Sequence, residues 1–117
     1  MRKNVLIVGA SLYMRATLKD MLEEGGYYII GQATSSKEAL RMAFTYMPDY
    51  VMLTNTLPNA ESIEVMYTYK REGLPSKVLM ISSANEEAEC IDNGLDTKDY
   101  LLKPFTSDQL LRKLSQA

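Results

Sequence analysis

The sequence predicts an α/β domain built on an open, all-parallel sheet with helices on both faces. Three observations carry that prediction. Short continuous apolar runs alternate with segments of helical period from one end of the chain to the other, which is the rhythm of repeated βαβ units. The runs are apolar throughout rather than at every second residue, as expected of strands buried on both faces. Turn formers (Gly25-Gly26, Pro48, Gly73 with Pro75, Gly94) stand between the elements.

In chain order, Val5-Leu6-Ile7-Val8 is the first strand. Ser11 is placed as an N-cap, and Met14, Leu18, Met21 and Leu22 recur at i, i+4, i+7 and i+8 until Gly25-Gly26 stops the helix. Tyr27 to Ala33 reads as the second strand, its Gly31 marking a bulge or a close approach. Ser35-Ser36-Lys37-Glu38 has the spacing of a capping box. The helix it opens sets Leu40, Ala43, Phe44 and Met47 on one face and ends before Pro48. Tyr50-Val51-Met52-Leu53 is the third strand. After the polar segment from Thr54 to Glu61, which contains Pro58, a helix with Ile63, Met66 and Tyr67 on one side runs to Glu72 and is broken by Gly73 and Pro75.

Val78-Leu79-Met80-Ile81 is the fourth strand, followed by a short acidic helix that Asn85 caps and Gly94 ends. Tyr100-Leu101-Leu102 is the fifth. Thr106-Ser107-Asp108-Gln109 is a second capping box, with Phe105 in position to staple onto Leu110 and with Leu110, Leu111 and Leu114 facing the core. Strands and helices in this alternation, joined by right-handed crossovers, imply a flavodoxin-like (βα)5 sheet in the order 2-1-3-4-5, as a single domain over residues 1–117.

Composition removes several function classes. With 13 Lys+Arg against 15 Asp+Glu and a net charge of −2, the chain lacks the basic excess of a nucleic-acid or polybasic membrane binder. Cys90 is the only cysteine, so no intrachain disulfide forms and zinc is disfavoured. The absence of histidine removes His-based acid–base catalysis, His metal sites, phosphohistidine relays and Ser-His-Asp triads. The apolar stretch before Ser11 is too short for a signal peptide or a membrane span. A soluble, cytoplasmic protein without a cofactor or metal is expected.

In such a sheet, ligands bind at the carboxyl ends of the strands near the switch between the first and third. The residues there are Gly9 and Ala10, Thr54 and Asn55, Ser82 and Ser83, and Lys103. At these residues the chain resembles a known family. Leu6-Ile7-Val8, Glu38-Ala39-Leu40, Pro48-Asp49-Tyr50-Val51, Leu57-Pro58, Ser82 and Asp99-Tyr100-Leu101-Leu102-Lys103-Pro104-Phe105 resemble the response-regulator receiver domain, the CheY-like module of two-component signalling. The likeness runs in register along essentially the whole chain.

The resemblance implies a set of roles. In that family an acidic pair after the first strand and an Asp ending the third hold Mg²⁺, and the third Asp accepts a phosphoryl group from a histidine kinase. A hydroxyl residue and a Lys, ending the fourth and fifth strands, contact the phosphoryl oxygens, and an aromatic residue on the fifth strand swings inward as the readout. Position by position, the hydroxyl falls on Ser82, the aromatic on Tyr100, the Lys on Lys103, and Pro104 takes the family's cis peptide bond.

The departures are the most informative feature. Gly9-Ala10 stands in place of the acidic pair and Thr54 in place of the acceptor Asp. Neutral hydroxyls and carbonyls beside an ammonium group make a poor Mg²⁺ site, and an unactivated Thr hydroxyl is a much weaker nucleophile than a carboxylate. Ser62 stands where the family usually has Gly, and the turn Gly94 to Lys98 is longer than the family's by about two residues, the kind of change loops tolerate.

Several residues admit a plain reading beside a functional one. Lys103 is either an anion contact or a solvated structural Lys, and a Ser82–Lys103 nucleophile pair is disfavoured because no oxyanion hole accompanies it. Tyr100 is either a two-state switch or a half-buried strand residue. Glu86-Glu87-Ala88-Glu89 reads as a solvated first turn favoured by the helix dipole. Met66, Tyr67 and Tyr69 are too many large side chains for one buried stripe, so either the core or an exposed patch takes them. Cys90 reads as an inert apolar side chain.

The expectation is a non-enzymatic, phosphorylation-independent protein-interaction module. Its partners would bind the face made by the fourth helix, fifth strand and fifth helix, with a second copy or an attached effector domain as candidates and with no direct nucleic-acid or membrane contact. The alternative keeps a phosphoryl or anion response through Thr54, Ser82 and Lys103. An enzyme of another class is disfavoured, because no Gly-rich phosphate loop follows the first strand.

Overall fold

The computed structural model describes residues 2–54, 59–95 and 97–116. Each apolar run forms a strand: β1 (Asn4–Val8), β2 (Tyr28–Ala33), β3 (Tyr50–Thr54), β4 (Lys77–Ser83) and β5 (Tyr100–Lys103). They pair in parallel in the order β2-β1-β3-β4-β5. The helices are α1 (Leu12–Glu24), α2 (Ser36–Tyr46), α3 (Asn59–Arg71), α4 (Glu87–Asp92) and α5 (Ser107–Ser115).

Because side chains alternate across a strand, the continuous runs divide between two cores. Leu6, Val8, Val51 and Leu53 meet Ala39 and Ala43 of α2 and Val65, Met66 and Tyr69 of α3. Val5, Ile7, Met52 and Ile81 meet Leu18 and Leu22 of α1 and Leu110 and Leu114 of α5. Between β1 and β2 the register slips, Val5 facing Ile29 and Leu6 facing Gly31, so Ile30 is the extra residue of a bulge. Gly31 sits where a Cβ would lie 3.5 Å from Leu6 Cδ1 and 3.7 Å from Met42 Sδ.

The caps follow the local chemistry. Ser11 Oγ accepts the Met14 N–H (3.2 Å), and α1 ends at Gly25, where a Cβ would fall 2.4 Å from Leu111 Cδ2. At α5, Thr106 Oγ1 accepts the Gln109 N–H (3.1 Å) while Gln109 Oε1 accepts the Thr106 N–H (2.8 Å). Removing that hydroxyl leaves an N–H without its intrachain acceptor, so Thr106→Ala should lower the unfolding free energy by about 1 kcal/mol. A denaturant titration reads this as a fall in midpoint without a change in slope.

Five local expectations are corrected. Ala39 and Ala43 form the buried stripe of α2, whereas Phe44 and Met47 are 52% and 48% exposed. Met47 is the left-handed C-cap of that helix (φ 48°), so it no longer follows the helical stripe. The Ser35 hydroxyl accepts the Glu38 N–H (3.2 Å) as expected, but Glu38 Oε1 takes the Thr34 N–H (2.9 Å).

Asn85 does not open the fourth helix. Ser83 precedes a 3-10 turn (Ala84–Glu86) that leads into α4, and its N–H is accepted by Glu86 Oε1 at 3.1 Å. In α3, Met66 is buried together with Val65 and Tyr69, while Tyr67 lies outside, its hydroxyl donating to the Asn93 carbonyl. The side chains of Ser62 and Ile63 lie outside the described set, as do Asn55, Leu57, Pro58 and Asp96. On α5, Leu111 is half-buried, unlike Leu110 and Leu114.

Candidate functional site: strand ends and the Tyr100 face

Parallel pairing brings the carboxyl ends of β1, β3, β4 and β5 to one edge of the sheet. Gly9 follows β1, its N–H donating to the Ala33 carbonyl (2.9 Å) and its own carbonyl accepting from Arg15 Nη1 (2.6 Å). The same guanidinium donates through Nε to Gln32 Oε1 (3.1 Å). Arg15 is a functional candidate the sequence reading missed. The available signal was its place early in α1, because helical side chains lean back toward the N-terminus and so over the strand end that precedes them.

Thr54 closes β3 opposite Ile81 and is fully buried. Ser82 is also fully buried, with its Oγ 3.7 Å from Cys90 Sγ. Lys103 pairs in register with Ser83 at the half-buried end of β5, and the Lys103–Pro104 peptide bond is cis. The sheet therefore brings Gly9, Thr54, Ser82 and Lys103 to one edge, and Ala10 follows Gly9 on the exposed surface.

These residues do not fit Mg²⁺. The ion requires an octahedron of oxygens, usually with carboxylates among them. The side chains at Gly9, Ala10 and Thr54 supply a single neutral hydroxyl, and the Gly9 carbonyl is occupied by a cation. Among the described residues no three Cys, Asp or Glu side chains converge. Addition of Mn²⁺ should accordingly give no selective paramagnetic broadening of the Gly9, Ala10 and Thr54 amide signals. Selective, saturable broadening there would contradict it.

Tyr100, at the start of β5, is only 4% exposed and packs in the core with Met80, Cys90 and Leu95. Its hydroxyl donates to Glu87 Oε2 in the first turn of α4 (2.9 Å). That bond to a carboxylate, reinforced by burial and by the nearby negative charge, holds the phenol's pKa above its usual value. Tyr100 is thus more deeply buried than a half-exposed strand residue, and Glu87 is a half-buried acceptor rather than a member of a solvated turn. Nothing in the sequence spacing links these two residues.

Tyr69 is also raised by burial, and its hydroxyl ties α3 to the Ala39 carbonyl of α2 (3.1 Å). In the long turn before β5, Gly94 takes a positive φ of 81° and Leu95 is buried. Thr97–Asp99 then forms a 3-10 turn whose Thr97 carbonyl accepts from Lys113 Nζ (2.8 Å).

The response regulator receiver domain family matches residues 5–115. Chemotaxis protein CheY of Thermotoga maritima is 30% identical over 119 residues, covering 99% of this chain and 98% of that protein. The signal receiver domain of the putative response regulator NarL from Mycobacterium tuberculosis is similar in fold, with a TM-score of 0.83 and 20% identity over 98% of this chain and 94% of that one. A chain of the CheX-CheY-BeF3-Mg complex from Borrelia burgdorferi has a TM-score of 0.74 and 24% identity, over 97% of this chain and 87% of its own length.

Proposed function

The chain belongs to the response regulator receiver domain family, and on that premise we propose that it is an atypical, non-enzymatic, cytoplasmic receiver that signals by protein contact without carrying a phosphoryl group. The observation that carries this reading is the trio Gly9, Ala10 and Thr54 at the strand ends. Phosphoryl transfer depends on positioning and on neutralising the charge that spreads over the transferring group. With no carboxylate in the trio to hold the metal, Lys103 supplies only part of that neutralisation. The Thr54 hydroxyl is fully buried, and a Thr hydroxyl is a much weaker nucleophile than a carboxylate.

The contact surface in this reading is the face formed by α4, β5 and α5. Glu87, Glu89 and Asp92 give α4 an acidic character, and Arg112 and Lys113 give α5 a basic one. Ile91 of α4 is 56% exposed, and Leu101 and Leu102 of β5 are half-buried. An apolar centre flanked by opposite charges suits a protein partner, such as a second copy or an effector domain, better than a nucleic acid. A protein-bound relative, the CheX-CheY complex, supports the same class of partner. Among the described residues no helix is long and apolar enough to cross a membrane.

Incubation with acetyl phosphate and Mg²⁺ followed by intact-mass analysis tests the reading. No hydroxylamine-labile phosphoryl adduct should form. A stoichiometric adduct mapped to Thr54 would instead favour a retained phosphoryl response through Thr54, Ser82 and Lys103.

A further inference from the structure

The end of the sheet away from the strand-end site holds a cavity of about 330 Å³ between the end of α3, the start of β4 and the turn before β5. We propose that this cavity binds a small organic phosphate, an anion with an apolar body. Tyr69, Leu74 and Val78 supply apolar surface, and Lys70, Lys77 and Lys98 supply ammonium groups. Among the described residues of its lining, Asp99 is the one that bears a carboxylate. A chain whose net charge is −2 thus concentrates positive charge at one concave place.

Ordinary structural reasons account for only part of that charge. Lys70 lies in the last turn of α3, where a cation offsets the helix dipole. Lys77 and Lys98 have no such role, since the first begins a strand and the second lies in a 3-10 turn. Lys98 is brought to the cavity by the long turn from Gly94, which the Lys113 bond to the Thr97 carbonyl pins in place. Of this longer turn, Lys98 lines the cavity.

The chemistry selects the ligand class. Lysines act as mobile point charges, suited to the several oxygens of a phosphate rather than to planar bidentate recognition. The volume lies at the lower end of the range for small-molecule sites, and the apolar surface favours a ligand with a ring or chain attached. The inference is independent of the strand-end chemistry.

Amide NMR titration with 1-naphthyl phosphate tests it, with inorganic phosphate and 1-naphthol as separate arms. Saturable shifts should centre on Lys70, Ser76, Lys77, Val78 and Lys98 at or below low millimolar probe. Each partial probe should bind at least about tenfold more weakly, because each keeps only one half of the recognition. Both lysines are exposed, so Lys77→Met with Lys98→Met should leave the fold's spectrum intact while weakening binding by a similar factor. Absence of saturable shifts there, equal binding of 1-naphthol, or full binding by the double variant would each overturn the proposal.

Discussion

Tyr100→Ala should lower the unfolding free energy by about 3–5 kcal/mol, the cost of emptying a buried aromatic position, and should weaken any partner held by the α4–β5–α5 face. The ring is buried among Met80, Cys90 and Leu95, so its removal opens a cavity as well as losing the bond to Glu87. Tyr100→Phe separates the two effects. It keeps the ring and loses only the hydroxyl, so its cost should be about 1 kcal/mol. If the two variants cost the same, the ring is not packed as described.

The same bond sets a pH dependence. An unfolded tyrosine loses its proton near about pH 10, whereas folded Tyr100 holds its proton to higher pH. Above the unfolded value the unfolded state therefore binds fewer protons than the native state, and stability falls as pH rises. Below it this contribution is complete. Denaturant midpoints measured from neutral to strongly alkaline pH should decline in the wild type, and Tyr100→Phe should reduce the slope. Tyr69, raised by burial, contributes in the same direction and should remain in that variant.

The other large effect concerns the strand ends. The triple variant Gly9→Asp, Ala10→Asp, Thr54→Asp should acquire Mg²⁺ binding that is not expected of the wild type. Thr54 is fully buried, so without metal its replacement by Asp places a charge in the interior and should destabilise by about 3–5 kcal/mol if no partner compensates. Metal at a hundredfold excess over its dissociation constant should return about 2.7 kcal/mol by mass action. Thermal unfolding with and without Mg²⁺ measures both, and a melting point unmoved by metal would show that more than the missing carboxylates disables the site. Arg15, already at the Gly9 carbonyl, is the residue to replace next in that case.

The strands were legible because burial on both faces leaves an apolar signature that no other element of this length reproduces as well. The Thr106 box and the Ser11 cap were legible because both bonds are local in sequence. Phe44 and Met47 misled because hydrophobicity alone does not say which of two adjacent stripes the sheet covers, and the small Ala39 and Ala43 let α2 approach closely instead. Glu87 and Arg15 act over distances in the chain that pattern reading does not reach: Glu87 meets Tyr100 across an intervening helix and turn, and Arg15 turns back over a strand end. The strand-end positions themselves were readable once the sheet order was known, since parallel topology dictates which residues share an edge.

A receiver state independent of phosphorylation is tested most directly by adding beryllofluoride with Mg²⁺ to the wild-type chain and following the Tyr100 ring and the α4 amides by NMR. A ligand shifts a two-state equilibrium only through differential affinity for its states, and neutral Thr54 offers beryllofluoride no carboxylate to bind. The Tyr100 ring should stay buried against Glu87 and the α4 signals should not move. A saturable shift of both sets of signals would contradict the account.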